Sequence, residues 1–117
     1  MMREIAEIHI RALPSTISSR IGIGFVSFLY MVVGKIGFVE TVKRSSKIVG
    51  VISGVGKLIL TLAVDPEWQH HGIGSQLIKS RKGRLWVYTQ NKSVGFYKKL
   101  GFSEITKIQK TILLWRK

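Results

Sequence analysis

Two glycines stand where an apolar, strand-like segment passes into a segment with helical spacing. Leu58–Val64 is nearly all apolar, Asp65-Pro66 interrupts it, and Gln69-x-x-Gly72-x-Gly74 opens the helical segment. The first backbone N–H groups of a helix have no partner within the helix, and the helix dipole adds positive potential there. Glycine lets the backbone approach an anion closely. The spacing therefore predicts a phosphate-binding loop, although a plain strand–turn–helix joint can also carry two glycines.

Adjacent imidazoles lie inside the same loop, at His70 and His71. A structural zinc site needs four ligands, and the chain contains no cysteine and no His-x-x-x-His pair. We therefore predict no metal. The absence of cysteine also excludes a disulfide framework and fits a reducing cytoplasm, the compartment we expect.

The elements that must position this loop follow from periodicity. Helical spacing predicts a first helix ending before Pro14 and a second from Ser15–Ser19 to Gly34. Turn residues then separate the remaining elements, which are predicted strands over 37–42, 48–53 and 57–64, a helix over 74–82, a strand over 85–89, a helix over 93–100, and one or two closing strands within 102–115. We see no repeat and no linker. The sequence predicts one mixed α/β domain over residues 1–117.

The charge is strongly positive, with 19 Lys and Arg against 6 Asp and Glu, for a net charge of +13. Such a field attracts anions, so a nucleic-acid-binding protein is a rival hypothesis. The basic residues are scattered along the chain, which also suits an ordinary solvated surface. Ile21–Gly34 is uncharged over 14 residues, which suits a buried helix rather than a membrane span of about 20 residues. The first residues do not resemble a cleavable signal.

Two motifs, taken in order, resemble the GNAT acetyltransferases. Leu62-Ala-Val-Asp-Pro-Glu-Trp-Gln-His-His-Gly-Ile-Gly74 is similar to the acyl-CoA motif of that family, and Asn91-Lys-Ser-Val-Gly-Phe-Tyr97-Lys-Lys-Leu-Gly-Phe102 is similar to its second signature. The resemblance covers about residues 5–105. It implies an acyl-CoA N-acyltransferase fold of the α/β (α+β) type, with a mixed, mostly antiparallel central sheet flanked by helices.

The resemblance also implies a cosubstrate, acetyl-CoA, and a role for each matching residue. Leu62, Ala63 and Val64 would hydrogen-bond the pantetheine arm, and the Val64 N–H would face the thioester carbonyl. Asn91 would lie near the arm, and Tyr97 would protonate the departing thiolate. The residues expected around the pyrophosphate are Gln69, His70, His71, Gly72, Ile73, Gly74 and Ser75.

The chain departs from the family pattern in two places. The strand that ends at Val64 carries no carboxylate to act as general base, which leaves Glu40 and Glu104 as the candidates. The first family strand also has no counterpart before the first helix. A trimmed sheet edge exposes backbone groups that a second chain can pair with, so we expect a homodimer.

These observations favour an N-acetyltransferase that transfers the acetyl group of acetyl-CoA to a primary amine by direct attack. The acceptor stays open between a protein N-terminus, a peptide and a small molecule. Two alternatives remain: a CoA-binding module without catalysis, and a basic nucleic-acid or ribosome-associated protein.

Overall fold

The computed structural model describes residues 2–13, 20–90, 93–108 and 111–116. Its helices are α1 (Met2–Ala12), α2 (Ile23–Ile36), α3 (Ile73–Ser80) and α4 (Val94–Lys99), with a short 3-10 turn at Pro66–Trp68. Its strands are β1 (Phe38–Arg44), β2 (Lys47–Val55), β3 (Leu58–Val64), β4 (Leu85–Gln90), β5 (Ser103–Ile108) and β6 (Thr111–Arg116). The predicted order of elements is confirmed.

The strands form one sheet in the order β1-β2-β3-β4-β6-β5. Every neighbouring pair is antiparallel except β3 and β4, which are parallel. The parallel pair results from the crossover through α3, because a parallel connection requires an intervening element. The predicted fold class, a mixed and mostly antiparallel sheet flanked by helices, is confirmed.

Each face of the sheet is covered by a helix pair. On one face, α1 and α2 bury a cluster with residues of β2 and β3 that comprises Ile5, Ala6, Ile8, Val26, Tyr30, Ile48, Val51 and Ala63. On the other face, α3 and α4 bury a larger cluster that includes Val49, Ile52, Ile59, Leu77, Ile78, Val87 and Leu114. Burying one such aliphatic side chain contributes about 1.5–3 kcal/mol, so these clusters hold the helices to the sheet.

The second helix ends later than the sequence predicts. Gly34 lies inside α2, which continues to Ile36, and the Gly37 N–H donates to the Val33 carbonyl at 2.7 Å. Gly37 is the residue that requires glycine, because a Cβ there would lie 2.0 Å from the Gly54 carbonyl oxygen. The predicted cap at Ser15–Ser19 lies outside the described residues. Helix α3 is shorter than the predicted 74–82 and ends at Ser80.

Candidate active site

A one-residue bulge at Leu60 bends β3 away from β4. The β2–β3 register passes from Ser53 opposite Thr61 to Gly54 opposite Ile59, which leaves Leu60 as the extra residue. Among the described residues, only Leu58 and Ile59 of β3 are in register with β4. A bulge bends its strand and disturbs the ladder. The carboxyl half of β3 therefore borders an open cleft.

The backbone of Leu62 and Val64 faces this cleft. The Asp65 N–H donates to the Val49 carbonyl of β2 at 2.8 Å. Backbone groups alternate sides along a strand, so those of Ala63 also point to β2, and those of Leu62 and Val64 point away from it. One of these groups has a partner, because Gln69 Nε2 donates to the Val64 carbonyl at 3.3 Å. The two N–H groups are directed toward the cleft.

The turn after β3 is fastened by Asp65, whose side chain is inaccessible to solvent. Asp65 accepts the Glu67 N–H at 3.0 Å and an Arg11 N–H at 2.7 Å, and Lys47 Nζ lies 3.6 Å away. Burial alone would raise the pKa of the Asp65 carboxyl. The Glu67 hydrogen bond and the charges of Arg11 and Lys47 outweigh burial and hold the pKa below its usual value. Asp65 thus joins the end of α1, the start of β2 and the loop.

The loop itself adopts left-handed conformations at two positions. His70 has φ 66° and Gly72 has φ 79°, and Gly72 is the residue that caps the amino end of α3. His71 Nδ1–H donates to the Gln69 carbonyl at 2.9 Å, and its ring lies 5.6 Å from the Trp68 ring. The amino end of α3, from Gly72 to Ser75, lines the groove, and the first N–H groups of a helix have no partner within the helix.

Gly74 has a packing role that the sequence did not reveal. A Cβ at Gly74 would lie 3.1 Å from Phe96 Cζ, so glycine lets α3 approach α4 closely. A Cβ at Gly72 would meet nothing within 4 Å, so only the left-handed φ favours glycine there. The two glycines therefore serve different needs within one loop.

These parts enclose a groove of about 720 Å³ that runs from the end of α1, past β3 and the loop, to α4. Most of the residues predicted to bind the cofactor line it. They are Leu62, Ala63, Val64, Gln69, His70, Gly72, Ile73, Gly74 and Ser75, and Ala12, Leu13, Trp68, Ser93 and Phe96 complete the lining. His71 is not in the lining, and the predicted residue Asn91 lies outside the described residues.

Tyr97 lies in the core beside the groove rather than in its lining. Its side chain is 5% exposed, and its ring makes edge-to-face contacts with Phe96 at 5.1 Å and Phe102 at 5.3 Å. Burial raises the pKa of the Tyr97 phenol well above its usual value, so the phenol stays protonated. Phe96 presents its side chain to the groove at this point.

Both carboxylates considered as a general base are engaged elsewhere. Glu40 on β1 pairs with Arg81 and accepts the Ser80 hydroxyl at 3.3 Å, and Glu104 on β5 pairs with Lys98 at 3.8 Å. Neither glutamate lines the groove.

A buried polar network on the α1/α2 face was missed by the sequence analysis. His9 Nδ1 lies 2.8 Å from the Tyr30 hydroxyl, which donates to Thr61 Oγ1 at 2.9 Å, and Thr61 is hydrogen-bonded to Ser53. We call these four residues the His9 network. Burial lowers the pKa of His9 and raises the pKa of Tyr30 to about 12. The one feature of the sequence that indicates this network is the position of His9, four residues after Ile5 on the predicted apolar face of α1.

A family model for the acetyltransferase (GNAT) domain matches residues 27–104, which is most of the chain and contains the bulged strand, the loop and α4. The chain belongs to the GNAT acetyltransferase family. The predicted class of enzyme, an acyltransferase, is thereby confirmed. No curated protein sequence matches the chain closely enough to count as a relative.

Solved structures share the fold of this GNAT protein at low sequence identity. The PaiA N-acetyltransferase of Thermoplasma acidophilum, solved with coenzyme A, is 16% identical, with a TM-score of 0.77 over 99% of this chain and 92% of its own. The ribosomal-protein-S18-alanine N-acetyltransferase of Escherichia coli is 18% identical, with a TM-score of 0.74 over 98% and 86%. A GNAT acetyltransferase of Elizabethkingia anophelis, solved with acetyl-CoA, is 21% identical, with a TM-score of 0.65 over 95% and 88%.

Two further findings concern the part of the chain that the structure describes. No three His, Cys, Asp or Glu side chains there come together as a metal site would require. No helix there is both long and apolar enough to cross a bilayer.

Proposed function

We propose that the protein is an N-acetyltransferase that binds acetyl-CoA in the groove and passes the acetyl group to a primary amine. One observation carries the proposal: the backbone N–H groups of Leu62 and Val64 face the same groove as the left-handed cap at Gly72. An extended amide-bearing arm can pair with such an edge while its diphosphate lies at the amino end of α3. Coenzyme A has this combination of groups.

The reaction that fits this arrangement is direct attack. The neutral amine nitrogen adds to the thioester carbonyl carbon and forms a tetrahedral intermediate, whose oxyanion accepts a hydrogen bond from a backbone N–H. The C–S bond then breaks, the nitrogen loses a proton, and the thiolate gains one to give coenzyme A. The sequence predicts that the Val64 N–H donates this hydrogen bond to the oxyanion. Because backbone groups alternate sides along β3, the Leu62 N–H also faces the cleft, and it lies farther from the diphosphate.

For the group that stabilises the departing thiolate, we retain Tyr97, whose neighbour Phe96 lines the groove. Burial raises the pKa of the Tyr97 phenol, which keeps it protonated and makes it a poor proton donor. The phenol would therefore donate a hydrogen bond to the thiolate, and water would supply the proton that the sulfur finally gains.

The proposal is tested by titrating the protein with acetyl-CoA in a calorimeter, with Gly72→Asp as the variant and Gly56→Asp as the matched control. Both glycines have positive φ, 79° and 58°, and a Cβ at either meets nothing within 4 Å. Gly56 lies in the β2–β3 turn, away from the groove. We expect Gly72→Asp to weaken acetyl-CoA binding by about tenfold or more through charge repulsion, and Gly56→Asp to leave it unchanged. No binding by the unaltered protein would refute the proposal.

A CoA-binding module without catalysis is the second candidate, favoured by the lack of a described carboxylate in the groove. Acetyl-CoA-dependent turnover of any amine, corrected for thioester hydrolysis, would exclude it. The net charge of +13 keeps a nucleic-acid-binding role open. That role would be excluded if the protein bound RNA and DNA without preference for their structure and lost this binding at about 150 mM salt.

The edge of the sheet at β1 supports a homodimer in which two such edges pair, because β1 is the outermost strand of the sheet that the structure describes. A molar mass by light scattering tests it. A cytoplasmic location remains the expectation from the absence of cysteine.

A further inference from the structure

A second cavity, of about 150 Å³, lies between the α1/α2 layer and the sheet. Its apolar wall consists of Val26, Leu29 and Val33 of α2 together with Leu60 of β3. The His9 network forms the rest of its lining. Leu60, the bulged residue, is 47% exposed and stands at the boundary with solvent.

The polar groups of this cavity are directed at one another. Tyr30 is hydrogen-bonded to both His9 and Thr61, and Thr61 to Ser53. Among the described residues, no buried side-chain nitrogen or oxygen lacks a hydrogen-bond partner. A charged or strongly polar occupant would lose its water without gaining a free partner, which is unfavourable. The cavity therefore suits an apolar occupant.

Its size limits that occupant. An engineered protein cavity of about 150 Å³ that is lined by aliphatic and aromatic side chains binds benzene. The present cavity thus has room for about six carbon atoms. An isopropyl, isobutyl or phenyl group fits this volume, whereas a polyamine or a sugar ring with several hydroxyls does not suit its lining.

The cavity adjoins the end of the groove that is farthest from the phosphate-binding loop. On α1, His9 lines the cavity and Ala12 lines the groove, about one helical turn apart. On β3, Leu60 and Thr61 line the cavity, and the next two residues line the groove. With the diphosphate at Gly72, the arm of acetyl-CoA extends toward Leu62. The thioester then lies beside the cavity.

We propose that this cavity receives the apolar group of the acetyl acceptor, and that the acceptor is a primary amine with a compact alkyl or aryl substituent. The inference rests on the proposed function, because it requires a thioester at the Leu62 end of the groove. The net charge of +13 acts in the same direction, since it disfavours acceptors with several positive charges.

The test measures kcat/KM at saturating acetyl-CoA for 2-phenylethylamine, isoamylamine, ethanolamine and spermidine. We expect the two apolar amines to be favoured by about tenfold or more, which is the discrimination that an apolar pocket gives. A preference for ethanolamine or spermidine, in a protein that binds acetyl-CoA, would overturn this inference and leave the proposed function intact. Failure to bind acetyl-CoA would overturn both.

Adjacent residues of α2 supply a matched pair of variants. Leu29 lines the cavity, whereas Phe28 is 54% exposed. Leu29→Trp should fill the cavity and lower kcat/KM for 2-phenylethylamine by about tenfold or more, with acetyl-CoA affinity unchanged. Phe28→Trp should change neither value. Equal effects of the two variants would contradict the assignment.

An enlarging variant keeps the test decisive if Leu29→Trp does not fold. Leu29→Ala should extend the accepted amines to 2-(1-naphthyl)ethylamine, a substrate too large for the original cavity. Binding without turnover gives an independent measurement: in the presence of coenzyme A, 2-phenylethylamine should raise Tm for the unaltered protein and not for Leu29→Trp. An unchanged substrate range in Leu29→Ala would contradict the proposal.

Discussion

Asp65→Asn tests whether a single buried carboxylate fastens the turn that leads into the loop for which we propose diphosphate binding. The asparagine keeps an oxygen for the Glu67 N–H but loses the charge that faces Arg11 and Lys47. A hydrogen bond to a charged group contributes about 1.5–3 kcal/mol. The side chains of Arg11 and Lys47 are 44% and 53% exposed, so water screens part of this contribution.

We therefore expect Asp65→Asn to lower the free energy of unfolding by about 2 kcal/mol, which corresponds to a fall in Tm of about 8 °C for a chain of this length. The matched control is Glu104→Gln, which removes an exposed ion pair of 3.8 Å between Lys98 and Glu104. This second loss should stay below about 0.5 kcal/mol. Calorimetry or urea unfolding at pH 7 measures both.

The pH dependence gives a sharper test. Because the folded protein holds the pKa of Asp65 below its unfolded value, its stabilising contribution is present above the unfolded pKa of about 3.9. It is lost as the pH falls through the folded pKa. The difference in free energy of unfolding between the unaltered protein and Asp65→Asn should stay constant from pH 7 to about pH 5 and narrow below about pH 4. Equal stabilities at pH 7, or a gap that persists at low pH, would refute the reasoning.

Three further substitutions probe the core and the groove. Tyr97→Phe should lower kcat by about 10–100-fold with acetyl-CoA affinity unchanged, because the hydrogen bond to the departing thiolate is lost. Steady-state kinetics with calorimetry checks this, and an unaltered kcat would make Tyr97 a core aromatic only. Gly50→Ala should destabilise the protein by about 1–3 kcal/mol in urea unfolding, since the new Cβ would lie 2.7 Å from Ile73 Cγ2. Gly74→Ala should weaken acetyl-CoA binding, because the new Cβ would lie 3.1 Å from Phe96 Cζ and displace that ring. Adding Phe96→Leu to Gly74→Ala should restore the affinity. A double variant that binds acetyl-CoA as weakly as Gly74→Ala would contradict this account.

The order of the elements and the position of the loop were predictable because their signals are local. An apolar run, an Asp-Pro break and two spaced glycines all lie within 17 residues, from Leu58 to Gly74. The chemistry of a strand end and a helix start depends on neighbours along the chain, so the residues that line the groove near Gly72 could be identified without a structure.

The features that escaped prediction join distant parts of the chain. The bulge at Leu60 depends on the register between β2 and β3, which the sequence of either strand alone does not determine. In the sequence, Gly34 and Gly37 are equally suitable as the end of α2. The difference between them is that the Gly54 backbone packs so closely against Gly37 that a Cβ would not fit there. The contact of His9 with Tyr30 spans 21 positions and requires α1 and α2 to be packed on the sheet.

The bulge at Leu60 divides the sheet into two units, β1-β2-β3 and β4-β6-β5, that are joined at the parallel pairs Leu58–Trp86 and Ile59–Val87. An arm that hydrogen-bonds to Leu62 and Val64 would act as a partial seventh strand and bridge the two units. Binding of the ligand would then stabilise the sheet. A free ligand concentration of 100 times Kd would raise the free energy of unfolding by about 2.7 kcal/mol. The amide protons of Leu62 and Val64 would exchange rapidly with solvent in the empty protein and slowly in the complex, so the substrate would complete the architecture of its own enzyme.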